Sequence, residues 1–478
     1  MNNVARRVIS NFIWLLLSDV FSGGTIFLGN LYIARVVKAV EFGIFSFALA
    51  VSEYMWIAAD LGITLYGTRE VARNPDRAEE ILSVLNSMRF FSSIVLFSVL
   101  FLILTLAHVP PHKENILLAA GFYVIAYALS PDWLFRGSET MKYLAIGDII
   151  TGSFFLSSIL FLVKGPENTT WAAFLWSFSS LVGSAGTLYL LWRNLGIRFF
   201  FTFSLSKWKG HIRESVYFAL IASLMRGYAY IPILLLGFLS TPDQLGIFSA
   251  PHRFVYMLNR FNFVFPRAFY PVLASLSGDI KAFKEANYSL QKIMLAIGLP
   301  IGVGGTILAR DIIHLLYGNS YLGATDIFKI LIWVVPIGFV RSSYSNPLLA
   351  LGLQRLNAIA TGISVFITII LNLILIPIYG IYGAAVACVA CEIMVLFFMA
   401  LIFSKRVYRS IPFDAYFFKI FISCVLMGVL IEVVHVNVII KIILGAVSYG
   451  ILAIVLGVTD RKAILGFYST VVNSRKKV

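Results

Sequence analysis

The chain has 478 residues, of which 59% are hydrophobic and 13% charged, and its formal net charge is +15. Soluble domains carry roughly 25% charged residues and alternate polar with apolar faces, so this composition excludes an ordinary soluble protein. The positive balance does not mark a nucleic-acid binder either. Its lysines and arginines are dispersed through short loops, with no basic domain and no aromatic-basic platform.

In chain order, apolar runs of about the 20 residues a helix needs to cross hydrocarbon recur about fourteen times. Spans are expected at 10–34, 42–66, 88–108, 115–135, 143–163, 170–192, 214–239, 244–268, 292–316, 328–351, 356–377, 380–403, 414–434 and 438–457. The fold class expected is therefore an all-α polytopic membrane protein. Arg6 and Arg7 precede an apolar stretch too long for a signal-peptide core and without an A-x-A-type cleavage site, so a retained first helix is expected.

Loop charge sets the orientation. With the N-terminus inside, the inner loops receive Arg69, Arg73, Arg77, Arg89, Arg136, Lys142, the basic segment Arg193–Arg213, and the basic residues of 267–292 and 405–419. The outer side receives Arg35, Lys38, Lys113, Lys164, Arg310, Lys329 and Lys441. This bias obeys the positive-inside rule and places both termini in the cytoplasm of a cell-membrane protein.

The chain also reads as duplicated. Phe42-Gly43-Ile44-Phe45-Ser46 opens the second span and Leu245-Gly246-Ile247-Phe248-Ser249 opens the eighth. Lys142-Tyr143-Leu144-Ala145-Ile146 opens the fifth and Arg355-Leu356-Asn357-Ala358-Ile359 the eleventh. Six helices per unit imply two parallel repeats related by an axis along the membrane normal, plus two C-terminal helices. The domains expected are 1–198, 199–404 and 405–478, with Arg193–Arg213 as a cytoplasmic linker.

Charges at membrane depth cost about 2.5–3.5 kcal/mol each on insertion scales, so they mark candidate sites. The first unit has Asp19, Glu53 and Asp60 within spans and no Lys or Arg; the second has Arg226, Arg253, Arg260 and Arg341, with Glu392 as the main acid. Arg253 and Arg260 stand two helical turns apart, about 10.5 Å along one face of a continuous helix. Tyr230 lies one turn from Arg226. Guanidinium groups bind phosphate oxygens in pairs, so Arg226, Arg253, Arg260, Arg341 and Tyr230 are the substrate-binding candidates, for an anionic substrate in a partly wet cavity between the halves. The bland alternative is that they pair with acids and fasten helices. Asp19, Glu53 and Asp60 are the candidates for coupling to H⁺ or Na⁺, and Asp148 reads as an interface residue.

Other signals are weaker. Cys388 and Cys391 read as small packing residues on one helix, and Gly302-Val303-Gly304-Gly305 as close helix contact. Lys281, Lys284 and Lys292 follow Asp279 on a segment placed near anionic lipid. No P-loop, H-E-x-x-H or G-x-S-x-G is present, so the expectation is no enzyme, no cofactor and no metal.

Asp60-Leu61-Gly62 followed by Tyr66-Gly67-Thr68-Arg69-Glu70-Val71-Ala72-Arg73, and Phe135-Arg136-Gly137 followed by Met141-Lys142-Tyr143-Leu144-Ala145-Ile146, resemble the polysaccharide (O-antigen-type) flippases. That family shares a superfamily with lipid II flippases and multidrug-and-toxin exporters. The resemblance implies alternating access and a polyprenyl-diphosphate-linked oligosaccharide moved from inner to outer leaflet. It also implies membrane lipids and other polysaccharide-assembly proteins as partners. The alternatives are an ion-coupled exporter of organic cations and a membrane glycosyltransferase or polymerase of lipid-linked sugars.

Overall fold

With no water in hydrocarbon to satisfy peptide groups, apolar runs must close their hydrogen bonds internally, and they do so here as helices. The structure is a computed structural model that describes residues 3–227, 229–408 and 415–458; within these, side chains are described except at 3–9, 12, 217, 220–227, 264 and 268. Among the described residues all regular structure is helical. Eight helices among the described residues are long and apolar enough to cross a membrane.

The chain divides into two compact units, Asn2–Ser249 and Ala250–Val478. The first holds α1 (Asn3–Asp60), α2 (Ile63–Arg73), α3 (Ala78–Leu106), α4 (Pro111–Ala128), α5 (Asp132–Gly137), α6 (Met141–Leu162), α7 (Thr169–Leu195), α8 (Leu205–Gly227), α9 (Ile231–Leu239) and the start of α10 (Pro242–Asn259). α1 is two helices joined at Lys38, whose φ of 66° breaks the regular geometry, and so covers the first two expected spans. The second unit continues with α11 (Val264–Ser275), α12 (Ile280–Ile307), α13 (Ala309–Tyr317), α14 (Thr325–Leu331), α15 (Val334–Ala350), α16 (Gln354–Arg406), α17 (Ala415–Val433) and α18 (Val438–Val455). α16 is likewise two helices, joined at Gly380 with φ 56°.

The division between the units falls inside α10, beyond the 198/199 boundary drawn from sequence. The physical reason is that α8 and α9 pack on α1, and α8 also on α2. The segment 196–204 between α7 and α8 is an extended strap. Its amides at Arg198, Phe200 and Thr202 donate to Glu79 Oε2, Ser83 Oγ and Ser87 Oγ at 3.0, 3.2 and 2.9 Å. Alternate residues of an extended chain thus meet side chains spaced four apart on α3.

Small residues bring helices together where polar groups need close range. On α6 and α7, Gly147 abuts Thr187 and Gly183 abuts Thr151. In the second unit, Gly302 and Gly305 of α12 meet Pro336 and Ile332, the close contact expected of that glycine run. Cys388 and Cys391 are buried free thiols on α16. α17 and α18 dock on α12, where the Tyr449 hydroxyl donates to Ala296 O at 2.7 Å.

α1 turns into α2 through Leu61 and Gly62, both with positive φ (49° and 76°). A Cβ on Gly62 would strike the backbone of Ser215 and Ala219 on α8. Gly62→Ala is therefore expected to destabilise the protein by about 1–3 kcal/mol, seen as a lower unfolding midpoint in detergent. An unchanged midpoint would mean that α8 does not seat on this turn.

Candidate functional site

The first unit's buried charge centres on a residue that the sequence reading assigned to a loop. Arg89, on α3, is wholly buried. Its Nη2 lies 2.6 Å from Asp60 Oδ1 and donates to Thr64 Oγ1 at 3.0 Å, while Nη1 donates to Ser130 O at 3.2 Å and stands 3.7 Å from Asp132 Oδ1. Thr64 in turn donates its hydroxyl to Asp60 Oδ1 at 2.8 Å. The sequence alone places Arg89 among the inner-loop cations, whereas the fold buries it inside the first unit. Arg89 begins an apolar run, and only the fold shows that its guanidinium turns inward.

The same cluster gathers the motif residues that carried the family resemblance. Gly67 lies against the Trp133 indole, and Gly137 against Thr68 O. The Trp133 indole donates to Asn86 Oδ1 at 3.0 Å, and the Thr68 hydroxyl to Trp133 O at 3.1 Å. Tyr66 Oη is 2.8 Å from His211 Nδ1, and Arg69 pairs with Glu70 and Glu214, both at 3.0 Å. These residues tie α2, α5 and α8 to one another.

Beside the Arg89 cluster lies a chamber of about 140 Å³ within the first unit. Ser22, Ser130, Asp132, Asp148, Thr151, Ser180, Ser184 and Thr187 are among its lining residues. Ser18 donates to Asp148 Oδ2 at 2.6 Å. Asp132 Oδ1 and the Ser184 hydroxyl are buried and make no hydrogen bond among the described residues. Carboxylates facing hydroxyls in a confined space are chemistry suited to a proton or a small cation. Ser180, Ser184 and Thr187 recur at helical spacing on α7, a signal that could have revealed this lining.

The sequence-expected acids sit differently. Asp60 is held by Arg89, Glu53 is half-buried on α1, and Asp19 is exposed.

In the second unit, Arg341 Nε pairs with the buried Glu392 Oε2 at 2.9 Å, which braces α15 on α16. Arg253 is half-buried on α10, its charge felt by His252 and Tyr317. His252 stacks on Tyr256 with ring centroids 4.2 Å apart. Arg260 is exposed and makes no ion pair among the described residues. The expected continuous helix from Arg253 to Arg260 is not found: α10 ends at Asn259, and Arg260–Phe263 form a 3-10 turn. Asn262 donates its amide to Asn259 Oδ1 at 2.9 Å, and the Ser342 hydroxyl donates to Asn262 O at 3.1 Å. This asparagine pair, seated on Gly338, offers a local alternative to helical bonding. Tyr230 is half-buried at the start of α9. Arg226 belongs to α8, and its side chain lies outside the described residues.

Two outcomes follow from these geometries. Asp60→Asn or Arg89→Met leaves buried charge uncompensated and is expected to cost about 3–5 kcal/mol, with part of the loss recovered in the double variant. Equal, additive losses in an unfolding double-mutant cycle would contradict the coupling. Burial lowers the pKa of His211, with Glu214 and Glu70 opposing and Arg77 reinforcing the shift. The stability this histidine lends is complete above its unfolded pKa of about 6.5 and is lost as pH falls through the lower folded value. His211→Phe should flatten that acid-side slope in thermal unfolding, and an unchanged slope would assign it to other groups.

The family of polysaccharide biosynthesis proteins matches residues 8–277 of this chain. A candidate O-antigen transporter of Escherichia coli (strain K12) is 25% identical over 321 residues, which cover 65% of this chain and 75% of that protein. The solved structure of the lipid II flippase MurJ in an inward closed conformation matches with a TM-score of 0.73 at 16% identity, over 93% of this chain and 98% of that one. An inward-facing multidrug resistance MATE transporter of the MOP superfamily matches with a TM-score of 0.65 at 13% identity, over 83% and 98%. The polysaccharide biosynthesis match spans more than half of the chain, and the fold resembles those of the two solved structures: the protein belongs to the polysaccharide biosynthesis protein family and is a multi-pass membrane protein.

Proposed function

We propose that the protein is a flippase for a polyprenyl-diphosphate-linked oligosaccharide, moving its headgroup from the inner to the outer leaflet of the cell membrane by alternating access. The observation that carries this reading is the family match over 8–277, which joins the chain to a relative named for O-antigen transport. The lipid II flippase fold supports it.

In this reading Arg253 and Arg260, with Arg226 and Tyr230, hold the diphosphate. Guanidinium forks match phosphate oxygens in pairs, and Arg260, with no carboxylate partner among the described residues, can take a phosphate. Arg341 contributes less directly, because Glu392 already occupies it. Coupling to H⁺ or Na⁺ falls to Asp19 or Glu53 and to the Asp148 chamber, with Asp60 acting through Arg89. Both termini lie in the cytoplasm. No covalent step on the substrate is required, so the protein is not an enzyme.

In proteoliposomes, Arg253→Gln and Arg260→Gln are each expected to slow flipping about tenfold, the equivalent of one charge-assisted hydrogen bond. Arg341→Gln should lower the unfolding midpoint more than the rate. Full-rate flipping by both Arg253 and Arg260 variants would remove these residues from the mechanism. Transport of a cationic dye in place of the glycolipid would favour the exporter reading, and a chemically altered product the enzyme reading.

A further inference from the structure

One cavity in the second unit serves none of the roles above. It is an apolar slot of about 650 Å³ between α12, α15, the second half of α16 and α17. Leu299, Trp333, Val340, Phe397, Ala400 and Phe417 are among the residues that line it. Among the described residues no charged side chain lines it. Its volume falls within the roughly 300–1,000 Å³ of ligand pockets. Phe397 and Leu401 are 62% and 39% exposed, so the slot opens on the outer surface of the helix bundle, where acyl chains surround a membrane protein.

A cation stands at one end. Lys292, Leu295 and Leu299 share one face of α12, at positions i, i+3 and i+7, and the two leucines line the slot. The Lys292 ammonium lies 4.3 Å from the ring centroid of Tyr288 and 4.7 Å from that of Tyr416, the residue beside slot-lining Phe417. It is half-buried and has no carboxylate partner among the described residues. One turn or two below, Lys284 lies 5.5 Å from the Tyr408 ring, and Tyr408 Oη accepts from Asn287 at 2.8 Å. Lys405 and Arg406 follow slot-lining Ser404 on α16. By the loop-charge rule this end faces the inner leaflet, where anionic lipids concentrate.

We propose that this slot binds one acyl chain of an anionic inner-leaflet phospholipid, with the lipid phosphate against Lys292. Three features favour that occupant. The slot opens sideways to the bilayer, so bulk phospholipid, in large excess over any carrier lipid, fills it by mass action. The lining offers mainly dispersion contacts, with Ser404 and Tyr344 its hydroxyl-bearing members, which suits an unfunctionalised chain. The cation sits at the headgroup end of the apolar lining, half-desolvated and steadied by two aromatic rings, where a phosphate gains more from it than in bulk water.

The test is native mass spectrometry of the full chain, titrated with phosphatidylglycerol and with phosphatidylcholine of the same acyl composition. Wild type should retain phosphatidylglycerol about fivefold better, the effect of about 1 kcal/mol per basic residue at an anionic surface. Lys292→Gln should bring that ratio toward one. Ala400→Phe, which fills the slot, should reduce retention of both lipids. Leu401→Trp, at the lipid-facing mouth, serves as the second slot variant, and both are accepted only with a wild-type unfolding midpoint. Phosphatidylglycerol carrying a mid-chain diazirine should label peptides containing Phe397–Leu401 and Phe417. Equal retention of the two lipids by wild type, or undiminished retention by folded slot variants, would overturn the proposal. So would one-for-one displacement by a polyprenyl phosphate, which would assign the slot to the carrier chain instead.

Discussion

A charge within the bilayer must be neutralised or wetted, and this constraint organises the whole chain. Arg89 answers it with two aspartates and a threonine, Arg341 with Glu392, and Asp148 with the Ser18 hydroxyl. Each solution fastens helices that are remote in sequence. The Arg89 cluster is the most consequential, because it joins the end of α1 to α2, α3 and the start of α5. These elements carry the family's motif residues. A buried ion group of this kind contributes little net stability over an apolar core but is expensive to break, so it fixes one arrangement of helices against others.

Against that background the remaining cations acquire meaning. Arg260 is exposed on a 3-10 turn with no ion pair among the described residues, and Arg253 sits half-buried on the helix just before it. A break between them lets the two guanidinium groups point differently instead of sharing one stripe. In the proposed reading, two cations on either side of a helix end give a lipid-borne diphosphate two separate points of attachment. A helix continuous through both would hold them rigidly in line.

Much of the fold was legible because membrane spans announce themselves by length and apolarity. The motif around Asp60 and Gly67 was legible as a resemblance, though its chemistry was not. Arg89 was misplaced for a physical reason: a cation at the edge of an apolar run looks the same whether it faces water or a buried aspartate. The Asp132 and Asp148 chamber was hidden because its two acids come from α5 and α6 and its hydroxyls from α1, α6 and α7, so that only the assembled bundle brings them together. The end of α10 was illegible since Asn259 and Asn262 are compatible with a helix until Gly338 lets them bond to each other.

The proposed function rests on one physical claim, that the protein holds a phosphoryl charge carried on a lipid. The most direct measurement compares flipping of one oligosaccharide attached to the same polyprenyl chain by a diphosphate and by a neutral linkage, in proteoliposomes of wild-type protein. The account predicts that the diphosphate-linked lipid alone is flipped at a rate above protein-free vesicles. Equal flipping of the neutral-linked lipid would contradict it.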